Sequence, residues 1–211
     1  QTLEDILALN QLDERGKCKN MMIAAPLRLH DCSLVSDGAA ALVLTSTDNV
    51  GSRKARATQI AGIGHACERL AINVRPNLYE HIAGKVAVKN AYAEAGITAA
   101  DVNIAEVHDC FTINQVISTE TLGFSADGRA GYDYMDGRFT RDDDKVSVNL
   151  SGGLKAKGHP VGATGASMHA LIHKQLIGEA VGVKAKKANV GVAFNVGGSA
   201  VTNCVTVLKK L

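Results

Sequence analysis

Residues 151–165 read Ser-Gly-Gly-Leu-Lys-Ala-Lys-Gly-His-Pro-Val-Gly-Ala-Thr-Gly. The stretch follows a short apolar run, Val146 and Val148, and precedes a helical run from Ala166 to Ile177. Strand, glycine loop and helix in that order predict one βα unit of an α/β fold. Its five glycines allow positive φ and close approach of backbone to a ligand. His159 lies just ahead of a helix N-terminus, where proton transfer and backbone N–H donors can act together. The same pattern also describes an ordinary tight βα connection, so the rest of the chain has to decide between the two.

Working outward, the chain punctuates itself into further units. Upstream, residues 78–95 predict a helix with Ile82, Val86 and Ala93 in phase and Gly96 as its C-cap. Val102 to Val107 predicts a strand ending at His108-Asp109-Cys110-Phe111, and Thr112 to Leu122 a helix. The polar excursion from Phe124 to Arg141 predicts a long surface loop, followed by a solvated turn at Asp142–Lys145. Downstream, Ala188–Asn195 and Val201–Leu208 predict two strands joined through Val196-Gly197-Gly198-Ser199-Ala200. Nearer the start, Thr2 and Asp5 form an N-cap signal, and Ala57–Ile63 predicts a strand. Ala39–Leu44 suits either a short helix or a buried strand, and Asn49–Arg53 marks a boundary. From residue 51 the order is β-α-β-α-β-α-β-β. It predicts a mixed, mostly parallel five-stranded sheet flanked by helices, with an antiparallel last strand. Functional groups in such sheets gather at strand C-terminal ends. Three loops meet that rule: His108–Phe111, Ser151–Pro160 and Asn195–Ser199.

Composition narrows the function. The 211 residues are 46% hydrophobic and 21% charged, which suits one or two packed domains. A net charge of +2, few aromatics and no Trp argue against a nucleic-acid platform. No apolar run approaches the roughly 18–20 residues a membrane span needs. The five cysteines are odd in number and form no C-x-x-C pair, which predicts neither disulfides nor zinc and favours a reducing compartment. His169 and His173 stand i,i+4 on a helix with no third ligand in view, so they are expected as a helix flank and no metal is expected. No signal peptide is expected at Gln1, the ending Leu-Lys-Lys-Leu is not a peroxisomal tripeptide, and the start without Met is expected to reflect processing, trimming or a fragment.

Two histidines and a cysteine on strand-end loops, beside a Gly-Gly turn, suit acyl transfer. A histidine deprotonates a thiol, a second thiol moves a proton at carbon, and backbone N–H groups hold an oxyanion. The ordered set Glu106-Val-His-Asp-Cys-Phe-Thr112, Asn149-Leu-Ser-Gly-Gly153, Gly158-His-Pro160 with Gly162-Ala-Thr-Gly165, and Asn195-Val-Gly-Gly198 resembles the C-terminal half of thiolases of the sterol-carrier-protein and archaeal types. Ser36-Asp-Gly-Ala-Ala-Ala41 resembles the last part of that family's first half.

The resemblance implies the second half of an αβαβα layered fold. Residues 1–50 would be a remnant of the loop domain and the end of the first half, and residues 51–211 the C-terminal thiolase domain. His159 would activate the nucleophilic cysteine and polarise the thioester oxygen, and His108 would position a water or the substrate oxygen. Cys110 would be the acid/base thiol at the α-carbon, since Asn195 stands where other thiolases carry that cysteine. Gly197 would lend an N–H to the second oxyanion hole, and Asn149 would brace the glycine loop. The substrate would be a coenzyme A thioester, with no covalently bound cofactor. The family's nucleophilic cysteine falls before the segment matching Gln1, so a fragment or a partner chain carrying the first half is expected. A non-catalytic subunit that binds acyl-CoA or scaffolds a partner is the alternative. Association as dimers or tetramers and a cytoplasmic location (peroxisomal or mitochondrial in a eukaryote) complete the expectation. His30-Asp31-Cys32 imitates the later His-Asp-Cys and is expected to lie outside the catalytic loops.

Overall fold

The structure, a computed structural model, describes residues 2–211. The chain opens with α1 (Leu3–Ala8), closed by a reciprocal cap. The Asp5 amide donates to Thr2 Oγ1 at 3.2 Å, and the Thr2 amide to Asp5 Oδ2 at 2.7 Å. A small hairpin of β1 (Met22–Ala24) and β2 (Leu27–Arg28) follows. Residues 39–44 form neither the helix nor the buried strand expected. They form no helix and no ladder, and Val43 is 99% exposed. Among the described residues no strand edge pairs with this run, so its backbone is left to solvent.

The sheet begins with β3 (Thr58–Cys67), longer than expected and carrying a register shift between Ile60 and Gly62. Helix α2 (Ile82–Ala95) packs on it and ends at Gly96 in the left-handed conformation, as the sequence implied. Then come β4 (Ile104–Val107), α3 (Thr112–Thr121), α4 (Ala130–Met135), β5 (Ser147–Val148), α5 (Gly153–Lys157), α6 (Thr164–Leu176), β6 (Val190–Gly197) and β7 (Thr202–Lys210). The five long-range strands lie in the order β3-β7-β6-β4-β5. Strand β4 pairs in parallel with β5 and β6, while β7 runs antiparallel to both β6 and β3. Four strands therefore point one way and β7 alone returns, which is the mixed, mostly parallel sheet expected.

Side chains alternate across β4 and divide the core into two layers. Ala105 and Val107 join the α2 and α3 side, with Leu122, Phe194 and Val205. Ile104 joins the α6 side, with Leu154, Met168, Ile172 and Leu176. The glycine stretch is thus anchored by Leu154, which is fully buried.

Two expectations need correction. The buried stripe of α2 is Ala83, Gly84, Ala87, Val88, Ala91, Tyr92 and Ala95, while Val86 is exposed. Gly62 and Gly64 of β3 let the helix backbone sit directly on the strand, so alanines face the sheet and the larger Val86 faces out. The excursion 124–141 is no plain surface loop either. Phe124 and Phe139 are both buried, and α4 lies between them. Burying two aromatic rings repays the ordering of a polar segment.

Candidate active site

Because β4 lies between β5 and β6, the three predicted loops emerge side by side at one end of the sheet. His108 follows β4. Its amide donates to the Phe194 carbonyl at 3.1 Å, which extends the ladder to β6 by one residue. Its Nδ1 lies 2.7 Å from Asn195 Oδ1 on that strand. An amide oxygen only accepts, so the ring carries its proton on Nδ1 and presents Nε2 as a lone pair. Burial holds the His108 imidazolium pKa below its usual value, and the Asn195 bond partly opposes this.

His159 is fixed by a similar device. Its Nδ1 lies 2.7 Å from Thr164 Oγ1, and that hydroxyl donates to the Pro160 carbonyl at 3.0 Å. The hydroxyl has one hydrogen and spends it on Pro160, so it accepts from His159, whose Nε2 is the free basic nitrogen. Burial, with help from Lys157, keeps this ring neutral to lower pH than a free histidine. The two imidazoles meet edge to face, with centroids 5.0 Å apart at 90°.

Cys110 is half-buried one residue beyond Asp109. Burial raises its pKa, and the Asp109 carboxylate pushes the same way, so near neutral pH the group is a thiol. It lines a cleft of about 280 Å³ together with His108, Phe111, Asn114, His81 and Gly197. The turn closing the cleft holds Gly198, Ser199 and Ala200 at φ of 58°, 53° and 63°. Two of these are not glycine, a conformation that costs energy and that proteins keep chiefly at functional turns.

Asn149 sits at φ 52° where β5 ends. Its Oδ1 accepts from the Val107 amide at 2.8 Å, and its Nδ2 donates to Gln115 Oε1 at 2.9 Å. It therefore ties β5 to β4 and α3 at the root of the glycine loop. Two carboxylates to which the sequence reading gave no role hold the loop itself. Asp109 Oδ1 accepts from the Leu154 amide at 2.6 Å, capping α5. Gly153 is required there, since a Cβ would stand 2.7 Å from the Asp109 carboxyl carbon. Glu106 Oε2 accepts from Ser151 Oγ at 2.6 Å. A Glu inside the apolar strand Ile-Ala-Glu-Val was the available signal, since carboxylates are seldom fully buried unless partnered.

Burial raises the Glu106 pKa to about 7, against the bonds from Ser151 that lower it. A carboxyl raised in the folded state contributes stability below its unfolded pKa and loses it as pH climbs through the folded value. Wild type should therefore lose up to about 3 kcal/mol between about pH 4.5 and 7 from this group. Glu106→Gln should flatten that slope in urea titrations at pH 5 and 8. Equal slopes in the two proteins would show that Glu106 is ionised at no cost.

His169 and His173 stand apart from His108 and His159. His169 Nδ1 bonds the Gly165 carbonyl at 2.7 Å, and His173 Nδ1 meets Thr58 Oγ1 at 3.1 Å. Among the described residues no three His, Cys, Asp or Glu side chains gather as a metal site, and no helix is long and apolar enough to cross a membrane. His81 is the ring the sequence reading passed over. It is buried on the cleft wall, and its Nε2 lies 2.9 Å from Asn114 Oδ1. Asn114 in turn donates to the His108 carbonyl. His30-Asp31-Cys32 is only partly outside the site. His30 turns away to Asn20, but Asp31 accepts from Thr112 Oγ1 at 2.9 Å and Cys32 bridges Phe111.

A five-stranded mixed sheet with two neutral histidines and a thiol on neighbouring strand ends defines a thiolase-like α/β domain. The chain belongs to the thiolase C-terminal domain-like family, which matches residues 64–210. It is 39% identical over 189 residues to the acetyl-CoA acetyltransferase of Methanothermobacter thermautotrophicus, covering 90% of this chain and 49% of that protein. With the enzyme of the same name from Methanocaldococcus jannaschii it shares 40% over 193 residues, covering 88% and 49%. Human sterol carrier protein 2 is 32% identical over 176 residues, covering 81% and 32%. The chain thus spans about half the length of the archaeal relatives. A solved Ltp2-ChsH2(DUF35) aldolase superposes on all of this chain and 51% of its own, with TM-score 0.81 at 20% identity, a likeness of fold.

Proposed function

We propose that this chain supplies the acid/base and oxyanion half of a thiolase site, acting on acyl-CoA in thiolysis of 3-ketoacyl-CoA or the reverse Claisen condensation. The observation carrying the proposal is that His108, Cys110 and His159 stand on adjacent strand-end loops with both histidines locked as Nδ1–H tautomers. His159 Nε2 takes the proton of a nucleophilic thiol, and that sulfur bonds the acyl carbon as the CoA sulfur leaves. The resulting Nε2–H then donates to the thioester oxygen. His108 Nε2, an acceptor, holds a water whose second hydrogen faces the same oxygen. Cys110 gives its proton to the departed CoA thiolate, and the thiolate so formed removes the α-proton in condensation and returns it in thiolysis. The Gly197 amide, at the end of β6 on the cleft that Cys110 also lines, contributes to the second oxyanion hole.

The nucleophilic cysteine belongs, in this proposal, to a first thiolase half, continuous with this chain or carried by a partner subunit. The division at residue 50, assembly into dimers or tetramers and a cytoplasmic location belong to the same proposal. Incubation with acetyl-CoA labelled in the acetyl group tests it. The chain alone should stay unlabelled. Mixed with a cysteine-bearing thiolase half, it should promote label on that half and release of acetoacetyl-CoA. Label on a cysteine of this chain alone would overturn the division of labour. A stable but inert complex would favour a scaffolding, non-catalytic subunit.

A further inference from the structure

Residues 31–38 lie outside the segment matched by the thiolase C-terminal family, yet they touch both catalytic loops. At one end Thr112 Oγ1 donates to Asp31 Oδ1 at 2.9 Å, Cys32 bridges Phe111 in antiparallel fashion, and the Ser33 amide donates to the Cys110 carbonyl at 2.8 Å. At the other end Val35 bridges His159 in parallel fashion, and the His159 amide donates to Ser36 Oγ at 3.2 Å. The serine hydroxyl donates in turn to the Leu34 carbonyl at 3.1 Å. Two glycines make the fit close. A Cβ on Gly38 would stand 2.8 Å from Pro160 Cγ, and one on Gly158 would stand 3.1 Å from Ser36 Oγ.

We propose that residues 31–38 are a strap setting the distance between the Cys110 and His159 loops, with Ser36 as a positioning residue for His159. Three residues lie between Cys32 and Ser36, and backbone in extended form changes length little. A shift of one loop is therefore passed to the other. Thr164 fixes the rotation of the His159 ring, and Ser36 fixes the backbone from which that ring projects. The inference rests on the reading that His159 and Cys110 carry the chemistry.

Amide hydrogen exchange and thiol alkylation on this chain test the strap without any turnover. In Ser36→Ala the His159 amide should exchange about ten-fold faster, the equivalent of one lost hydrogen bond. The Val192 and Phe194 amides should be unchanged, and Ser36→Thr, which keeps the hydroxyl, should restore His159. Alkylation of Cys110 by iodoacetamide, followed by peptide mass, should change by about three-fold in Ser36→Ala, as for coupled neighbours. Thr112→Val loosens the other end and should speed His159 exchange in the same way. It also decides the matter if Ser36→Ala fails to fold. Unchanged His159 exchange in Ser36→Ala would overturn the positioning role. Unchanged Cys110 alkylation beside faster His159 exchange would overturn the coupling. Loss of acyl transfer in assembled enzyme would bear on the proposed chemistry alone, so the two ideas fail separately.

Discussion

Cys110→Ser, in enzyme assembled with a cysteine-bearing first half, should lower α-proton exchange of acetyl-CoA about 10²–10⁴-fold, the usual span for loss of a general acid/base. The physical reason is proton affinity. Burial and Asp109 raise the Cys110 pKa, but a thiol still gives up its proton far more readily than an alcohol does. Serine in the same cleft therefore offers no accessible base. Substrate binding should be little affected, because oxygen for sulfur changes little on the wall shared with His108 and Gly197. The expected pattern is a fall in kcat at nearly constant KM, with acylation of the partner half preserved. Deuterium exchange into acetyl-CoA, followed by mass spectrometry, reads the result directly. Full exchange in the serine variant would move the acid/base role away from Cys110.

Gly64→Ala should cost at least about 3 kcal/mol, at or beyond the upper end of overpacking penalties. The new Cβ would collide with the Ala87 carbonyl oxygen and stand 2.7 Å from the Ala87 carbonyl carbon. Both are helix backbone, which no rotamer change can move. Helix α2 would have to lift from β3, and the Ala87, Ala91 and Ala95 stripe would open with it. Gly96→Ala is a useful comparison, because its Cβ would meet nothing within 4 Å and only the left-handed backbone would be strained. Urea unfolding of the two variants should place Gly64→Ala well below Gly96→Ala. Equal midpoints would mean that the α2–β3 contact yields more easily than its geometry implies.

These two residues differ in how plainly the sequence announces them. Cys110 is legible because a strand end, a histidine and a following helix all converge on it, and the strand-end rule needs only local pattern. The same holds for His159 and for the parallel order of β4, β5 and β6. Gly64 is not legible, since nothing in Ile-Gly-His tells that a helix twenty residues later will sit on that glycine. The register shift near Ala61 hid it further, by breaking the alternation that predicts which face a residue takes. The phase of α2 failed for the same reason, because small residues face a close neighbour and hydrophobicity alone points to Val86. Asp109 and Glu106 bond to backbone and side-chain groups 45 residues away, which no local spacing reveals. The strap was hidden because residues 31–38 form only isolated bridges, with no apolar period to mark them.

The lone reversed strand has a practical meaning for anyone who handles this molecule. Strand β7 starts beside the cleft turn at Thr202 and travels to Lys210 at the opposite end of the sheet. At about 3.3 Å per residue the journey covers roughly 25 Å. A fluorophore or affinity handle attached at Lys210 therefore hangs from the far end of the sheet, leaving the mouth of the cleft open to reagents. A label placed in the turn at Ser199 would stand in the doorway itself.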